Sequence, residues 1–363
     1  MNGNYRMPAY DGWDREYQEN KQDYLDMFDR FMSQLNYENN EDFERSFAER
    51  VGRKHCVSVA SATDALHFTL LAHGIGKGDE VLVTDFSWIS SSACASMVGA
   101  TPVFCDIDLD SYHISLDSIK RMYSDKVKAI IYPHLFGNMS DTTEMQQFCK
   151  DNDILFIEDA AQSLGSSLHN VHAGTIGDCS VYSFNSNKVI AGINGGGVVL
   201  TDNEDIAKRV KMIRRHGKDK DFSMIGYNSR MYVLNAEIIS LRLRHADSNQ
   251  ERRQQIAHKY NTAFADLPVV TQGMSNGLNH NYHKYVVRFE DKDTRKRVKN
   301  AVNASIHYEM PLSSNSMYDG ATMRSDACIA SKTASNTVLS LPIHAWLTDN
   351  EITDIIKIVK NEI

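Results

Sequence analysis

The amino-acid sequence predicts an α/β fold: a large domain built on a mostly parallel central sheet, followed by a smaller C-terminal α+β domain. Three observations predict it. From residue 50 to about 215, short β-branched runs alternate with helical stretches, the pattern of βαβ units around a parallel sheet. The 363 residues exceed one ordinary domain at roughly 150 residues each. A long helical stretch from Val233 to about Asp266, with a break near Asp247–Ser248, marks the point where the chain changes domain. The division expected is therefore 1–247 and 248–363.

Taken in order, the apolar stretch Val57–Ala60 leads into a helix over Thr63–His73, and Glu80–Val83 reads as the next strand. The uncharged run from Phe86 to Cys105 is long enough to suggest a membrane span. It holds Ser87, Ser90, Ser91, Ser92 and Ser96, then Gly99 and Pro102, and reads instead as a helix over Ile89–Val98 and a strand over Pro102–Asp106. Helix Leu116–Tyr123, strand Lys128–Tyr132, helix Thr143–Asp151 and strand Leu155–Glu158 follow, then strands Ser180–Phe184 and Val198–Thr201 and helix Asn203–Arg215. Beyond the domain change, Tyr285–Phe289 reads as a strand, and Lys292–Val302 and Asn350–Lys360 as helices. The basic cluster Arg295, Lys296, Arg297 and Lys299 reads as the solvated face of the first of these.

Composition narrows the function. The 39 basic and 47 acidic side chains give a net charge of −8 with both signs spread along the chain, so nucleic acid is not the expected partner. The six cysteines show no CxxC spacing and most sit in apolar runs, which suits reduced thiols in the cytoplasm; neither disulfides nor a zinc site is expected. The first residues, MNGNYRMPAYDGWDREYQENKQ, lack the apolar stretch of a secretory signal, and no membrane association is expected.

Three local features carry chemistry. Ser61-Ala62-Thr63 gathers small hydroxyl residues and free N–H groups at a helix start, where an anion is favoured, although an ordinary N-cap has the same appearance. Glu158 and Asp159 stand at the carboxyl end of an apolar strand, where open α/β sheets bind ligands; an acid capping the next helix would look alike. Ser183-Phe184-Asn185-Ser186-Asn187-Lys188 leaves a strand and runs into Gly192 and Gly195-Gly196-Gly197, so a lysine stands in the least charged part of the chain beside glycines that let backbone approach a ligand. A lysine amine, a carboxylate at a strand end and an anion site at a helix start are what pyridoxal phosphate requires.

The segments SAT-DALH, GDEVLV, GATPVF-DID, IEDAAQSLGS, GTIGD-SVYSFN-NK, GGGVVLTD, RRHG and GYNSRM, between about Phe43 and Asn235, resemble the DegT/DnrJ/EryC1/StrS family of sugar aminotransferases in order and spacing. Weaker matches, IHYEMPL and LSLPIHAWLT, extend the resemblance toward the C-terminus. The resemblance implies the aspartate-aminotransferase-like fold type I of pyridoxal-phosphate enzymes, a homodimer with the site at the subunit interface, glutamate as amino donor and a nucleotide-linked keto-sugar as acceptor. By motif position it implies that Lys188 forms the Schiff base with the cofactor, Asp159 pairs with the pyridinium nitrogen, and Gln162 lies near the phenolic oxygen. It further implies that Ala62, Thr63 and Ser183 hold the phosphate, that Asn228 reaches it from the other subunit, and that Trp88 stacks on the pyridine face.

Departures from the family pattern fall where a substrate would lie. Asn185 stands where many relatives have His, Asn194 or Gly195 where they have an acidic residue, and Ser313 where a histidine often follows the HY-x-x-PL segment; Phe31 to Asn40 lacks the usual Gly-rich turn. Relatives that dehydrate sugars carry His at the lysine position, so Lys188 implies transamination. The span from Lys188 to Gly197 resembles relatives acting on 3-keto sugars slightly more than those acting on 4-keto sugars, and both positions stay open. Arg230, Lys218 and Lys220 are candidate cations for a substrate diphosphate. A nicotinamide oxidoreductase is not supported, since no G-x-G-x-x-G turn follows an early strand. A catalytically silent sensor or scaffold on the same fold and an aminotransferase for a non-nucleotide keto-sugar are the alternatives.

Overall fold

The computed structural model describes residues 12–34, 40–302 and 304–363. The leader reading of residues 1–11 and the turn reading of 35–39 lie outside the described residues. The strands are β1 (His55–Val59), β2 (Glu80–Thr84), β3 (Thr101–Cys105), β4 (Val127–Pro133), β5 (Leu155–Asp159), β6 (Ser167–Leu168), β7 (Val171–His172), β8 (Cys179–Ser183), β9 (Gly197–Thr201), β10 (Val269–Thr271), β11 (Leu278–Asn279), β12 (Tyr285–Phe289), β13 (Arg324–Ser325) and β14 (Val338–Leu341).

Eight of them form one sheet in the order β1-β9-β8-β5-β4-β2-β3-β13. Its strands run parallel from β8 to β13, and β9 alone opposes its two neighbours. Apolar runs such as EVLVT are buried along their whole length because helices cover both faces. Val81 and Val83 pack on one side with Leu66, Phe68 and Val210, while Leu82 points to the other with Ile130, Tyr132 and Phe156. The alternation follows from the two-residue period of a strand.

The remaining C-terminal residues build a second core. The antiparallel sheet β10-β12-β14 packs with helices Ala246–Phe264, Lys292–Val302 and Asp349–Glu362 around Ile256, Tyr260, Val287, Leu339 and Ile355. Thr348 caps the last helix, with Glu351 completing a capping box. This segment does not stay apart from the large sheet. β13 pairs with the edge of β3, and Leu312 and Ser313 bind Asp85 through its carbonyl and carboxylate.

The structure departs from the sequence reading in several places. The helical break falls at Arg244–His245, between helices Val233–Leu243 and Ala246–Phe264, not at Asp247–Ser248. β1 is a full strand, and helices Trp13–Glu19, Lys21–Gln34, Glu41–Val51 and Ile329–Thr337 were not foreseen. Arg295 is not part of a solvated face: it is buried, and its Nη1 donates to Ser335 O at 2.7 Å. All six cysteines are free and buried. No described helix is long and apolar enough to cross a membrane.

Candidate active site

β5 delivers its last two residues to opposite faces of the sheet, and this separates two acids that look equivalent in sequence. Glu158 faces a closed nest: Oε1 receives Gly174 N at 2.8 Å and meets His134 Nε2 at 2.8 Å, while Oε2 receives the amides of Ile176 and Gly177 at 2.6 and 2.8 Å. Burial pushes this carboxyl up, yet the His134 bond and the amides outweigh it and hold the group below its ordinary value. Glu158 is therefore a structural pin with no capacity left for a ligand.

Asp159 is also buried but poorly supplied, accepting from Ser91 Oγ and Ala161 N at 3.2 Å each. Burial raises its pKa, and the charge of Lys188 opposes the rise. Lys188 shows the mirror image: burial of the amine lowers its pKa to about 8, with Asp159 resisting. No direct ion pair joins the two among the described residues, which leaves both able to engage a third group.

Lys188 sits in the turn between β8 and β9, and glycines give that turn its shape. Gly195 and Gly196 have φ of +76° and +124°, conformations that L side chains resist. Gly197, the first residue of β9, lies so near the start of helix Ala62–Ala72 that a Cβ would come within 2.5 Å of Ala62 N and of Ser61 C. Ser61 caps this helix by accepting from Asp64 N at 3.1 Å. Thr63 Oγ1 lies 2.6 Å from Ser90 Oγ. The cap is real, and the same first turn, with its positive end and unsatisfied N–H groups, faces the glycine turn and the end of β8, where Ser183 pairs with Gly197. Ala62, Thr63 and Ser183 are thus brought to one place with Lys188 and Asp159.

Trp88 is 60 % exposed, so its ring is not packed into the core. Its ring lies 6.3 Å from that of Tyr308, whose hydroxyl accepts from Gln162 Nε2 at 3.1 Å. Gln162 Oε1 accepts from Phe136 N at 2.9 Å, so the side chain is oriented by two partners. Sequence reasoning missed three further groups here. His283 and His307 are held neutral, first by burial and then by the charges of Lys284 and Lys188; His307 falls to about 3. Lys284 is buried beside them. The only signal for His283 and Lys284 was the run HNYHKY leading into β12, since a strand's entry is not where α/β sheets place their ligands.

Asn228 is not gathered into this site within the chain. It is exposed, bridges only to Arg215 through backbone, and makes no side-chain hydrogen bond among the described residues, whereas its neighbour Ser229 is tied to Asp64 Oδ2 at 2.7 Å. Arg230, Lys218 and Lys220 are likewise exposed. A groove of about 1260 Å³ lies at the opposite end of the strands, lined by Arg53, His73 and Asp178. Its Arg53 and Asp178 are committed to backbone groups of the chain, so this groove is not where the chemistry gathers.

A buried carboxylate and a desolvated lysine at the carboxyl edge of a parallel sheet, beside a helix start shaped to receive an anion, define an enzyme of the lysine-tethered cofactor class. The chain belongs to the DegT/DnrJ/EryC1/StrS aminotransferase family, whose model matches residues 16–360. Members of that family are pyridoxal-phosphate-dependent aminotransferases. The chain is 31% identical over 327 residues to dTDP-3-amino-3,6-dideoxy-alpha-D-galactopyranose transaminase of Aneurinibacillus thermoaerophilus, covering 88% of each chain. It is 30% identical to GDP-perosamine synthase of Caulobacter vibrioides, covering 87% of each. Among solved structures, S. venezuelae DesV in complex with a ketimine intermediate superposes with a TM-score of 0.93 at 27% identity, covering 98% of each chain.

Proposed function

We propose that this aminotransferase uses pyridoxal phosphate to move an amino group from glutamate to the keto group of a nucleotide-linked deoxyhexose. The observation that carries the reading is the Lys188–Asp159 pair, a half-buried lysine with a lowered pKa facing the charge of a buried acid with no direct ion pair between them among the described residues. The residues present fit the cofactor: an acid for its ring nitrogen, a lysine for its carbonyl, a helix start with Ala62, Thr63 and Ser183 for its phosphate, and an exposed indole, Trp88, for its ring face. Bound there, pyridoxal phosphate supplies the electron sink for the carbanion formed at the substrate carbon.

The protein's own groups do the rest. Asp159 keeps a proton on the ring nitrogen, a task suited to a carboxylate short of other donors. Lys188, with a pKa of about 8, has neutral amine available near pH 7–8, and its Nζ takes the proton from the donor's α-carbon and later returns one to the sugar carbon. Gln162, fixed by Phe136 N and Tyr308, keeps one amide hydrogen that would serve the phenolic oxygen of the bound cofactor. The neutral imidazoles of His283 and His307 add no charge to compete with Lys188.

The assembly is read as a homodimer in which Asn228 completes the partner's phosphate site. Its exposure and the absence of a side-chain hydrogen bond to it among the described residues support this, as do the exposed Phe222, Ile225 and Tyr232 near it in sequence. Nucleotide-linked acceptors are supported by the names of the two curated relatives, and either the 3- or the 4-keto position fits. The free cysteines suit the cytoplasm. Retention of both Lys188 and Asp159 speaks against a silent sensor.

The test is a visible spectrum of the purified chain with added pyridoxal phosphate, followed by a panel of nucleotide keto-sugars with glutamate. A lysine-bound cofactor band that disappears in Lys188→Ala, and amination of a nucleotide keto-sugar, are expected. Absence of the band overturns the enzyme reading, and equal amination of free or phosphorylated keto-sugars overturns the nucleotide part alone.

A further inference from the structure

The turn that carries Lys188 is gripped from outside by residues remote in sequence. Trp13 Nε1 donates to Ser186 O at 2.6 Å, just ahead of the lysine. Arg242 Nη1 donates to Ala191 O at 2.7 Å, just beyond it. The two gripping side chains are stacked on each other, with the guanidinium carbon 4.2 Å from the centre of the Trp13 ring. Arg242 is itself fixed, since its Nε donates to Tyr24 Oη at 2.8 Å and its Nη2 meets Glu16 Oε2 at 3.1 Å. Asn235, two helical turns before Arg242 and so on the same face, receives Ile193 N at 2.8 Å and donates to Gly195 O at 2.7 Å. Trp13 in turn lies 5.9 Å from the ring of Trp346, which belongs to the C-terminal part and donates to Glu19 at 2.9 Å.

A brace serving only to dock the first helix would have no reason to end on the two carbonyls that flank the lysine. The planar fork of Arg242 can bind a carbonyl, a carboxylate and a phenol while stacking on an indole, which a lysine there could not do. We propose that Trp13 and Arg242 are positioning residues for Lys188: together they fix the two ends of its turn, and through Trp346 they couple that turn to the C-terminal domain. The proposal rests on Lys188 being the cofactor lysine. Its consequence is that the reach of the amine is set by an indole N–H and a guanidinium that bond to the backbone of its turn and not to the amine itself.

Full-length Trp13→Phe, Arg242→Met and Arg242→Lys test it. Trp13→Phe keeps a ring beneath the guanidinium and removes only the donor to Ser186. The first readout is hydrogen–deuterium exchange of the cofactor-free protein at the amides of Lys188 and Gly192, which bond to Asn185 O at 3.0 Å and Phe184 O at 2.8 Å. Exchange at these two sites should rise about tenfold in Trp13→Phe and Arg242→Met with the strands unchanged, and Arg242→Lys should recover part of the protection. The second readout, with pyridoxal phosphate added, is the pH midpoint of the lysine-bound cofactor band, which should shift. In parallel, kcat should drop by about tenfold or more with sugar KM held within about twofold, because a misplaced reacting group costs rate more than binding. Wild-type exchange at the turn and a wild-type pH midpoint in Arg242→Met and Arg242→Lys overturn the proposal, even if melting temperatures fall. Should Trp13→Phe not fold, the Arg242 pair carries the same readouts. Borohydride labelling of another lysine would defeat the assignment of Lys188 while leaving the exchange result to stand on its own.

Discussion

At the scale of single residues, the chemistry depends on what burial does to one amine. An exposed lysine titrates near 10.4, whereas Lys188 does so at about 8. Capture of pyridoxal phosphate by the cofactor-free chain needs the neutral amine, so its rate should climb with pH through a midpoint near 8 and then level off, as followed by stopped-flow absorbance. Asp159 holds that pKa up, so Asp159→Asn should move the midpoint below 8 while lowering turnover by about 10²-fold or more. The linkage to folding has a definite sign. The unfolded chain keeps this proton up to about 10.5 and the folded chain releases it near 8, so stability contributed by Lys188 rises with pH between those values. Melting temperatures of wild type and Lys188→Met should therefore converge or cross as pH is raised through that window. Trp88 gives a second handle: cofactor stacking on its exposed ring should quench emission more in wild type than in Trp88→Phe, where Trp13 on the Lys188 turn and its neighbour Trp346 remain.

At the scale of elements, the turn between β8 and β9 is where local geometry is least forgiving. A methyl group on Gly197 would meet the backbone of Ser61 and Ala62, and neither can move without opening the helix start. Gly197→Ala should cost about 1–3 kcal/mol in chemical denaturation and weaken pyridoxal phosphate binding in the same variant. The large-sheet strands from Glu80 to Thr201 were legible because β-branched runs buried on both faces leave an unbroken apolar signature, whereas the two-residue strands β6 and β7 between them were not. β1 was not, since Ser58 interrupts it, and the structure repairs that interruption through remote partners: Glu44 accepts from Ser58 N at 2.8 Å and from its Oγ at 2.7 Å, and Arg214 Nη1 donates to Ser58 O at 2.6 Å. Helices Trp13–Glu19 and Glu41–Val51 were hidden by their charge. Their acids and aromatics find partners such as Arg242, Arg214 and Phe184 only in the folded chain. The site followed the same rule. Lys188, Asp159 and the Ser61–Thr63 helix start stand in motifs along one sheet edge, whereas His283, Lys284 and His307 enter from another part of the chain with no motif beyond the run HNYHKY.

At the scale of the whole molecule, the division at residue 247 is proposed as one of core rather than of folding autonomy. A chain ending there would lack β13 and the Leu312–Ser313 tie to Asp85, and it should be insoluble or partly unfolded by circular dichroism where the full chain is not. The two-chain site makes a separate prediction. Mixing Lys188→Ala with Asn228→Ala chains should restore some activity, because a hybrid holds one intact site, and a fully active monomer by sedimentation would exclude it. The pairing of β13 with β3 also bears on biosynthesis. The ribosome delivers β3 early and its covering strand only some 220 residues later, on the order of ten to forty seconds at about 5–20 residues per second. During that interval a nascent sheet presents an open edge to every other nascent chain nearby. Yield in overexpression should then follow translation rate and chaperone supply more closely than the stability of the finished enzyme.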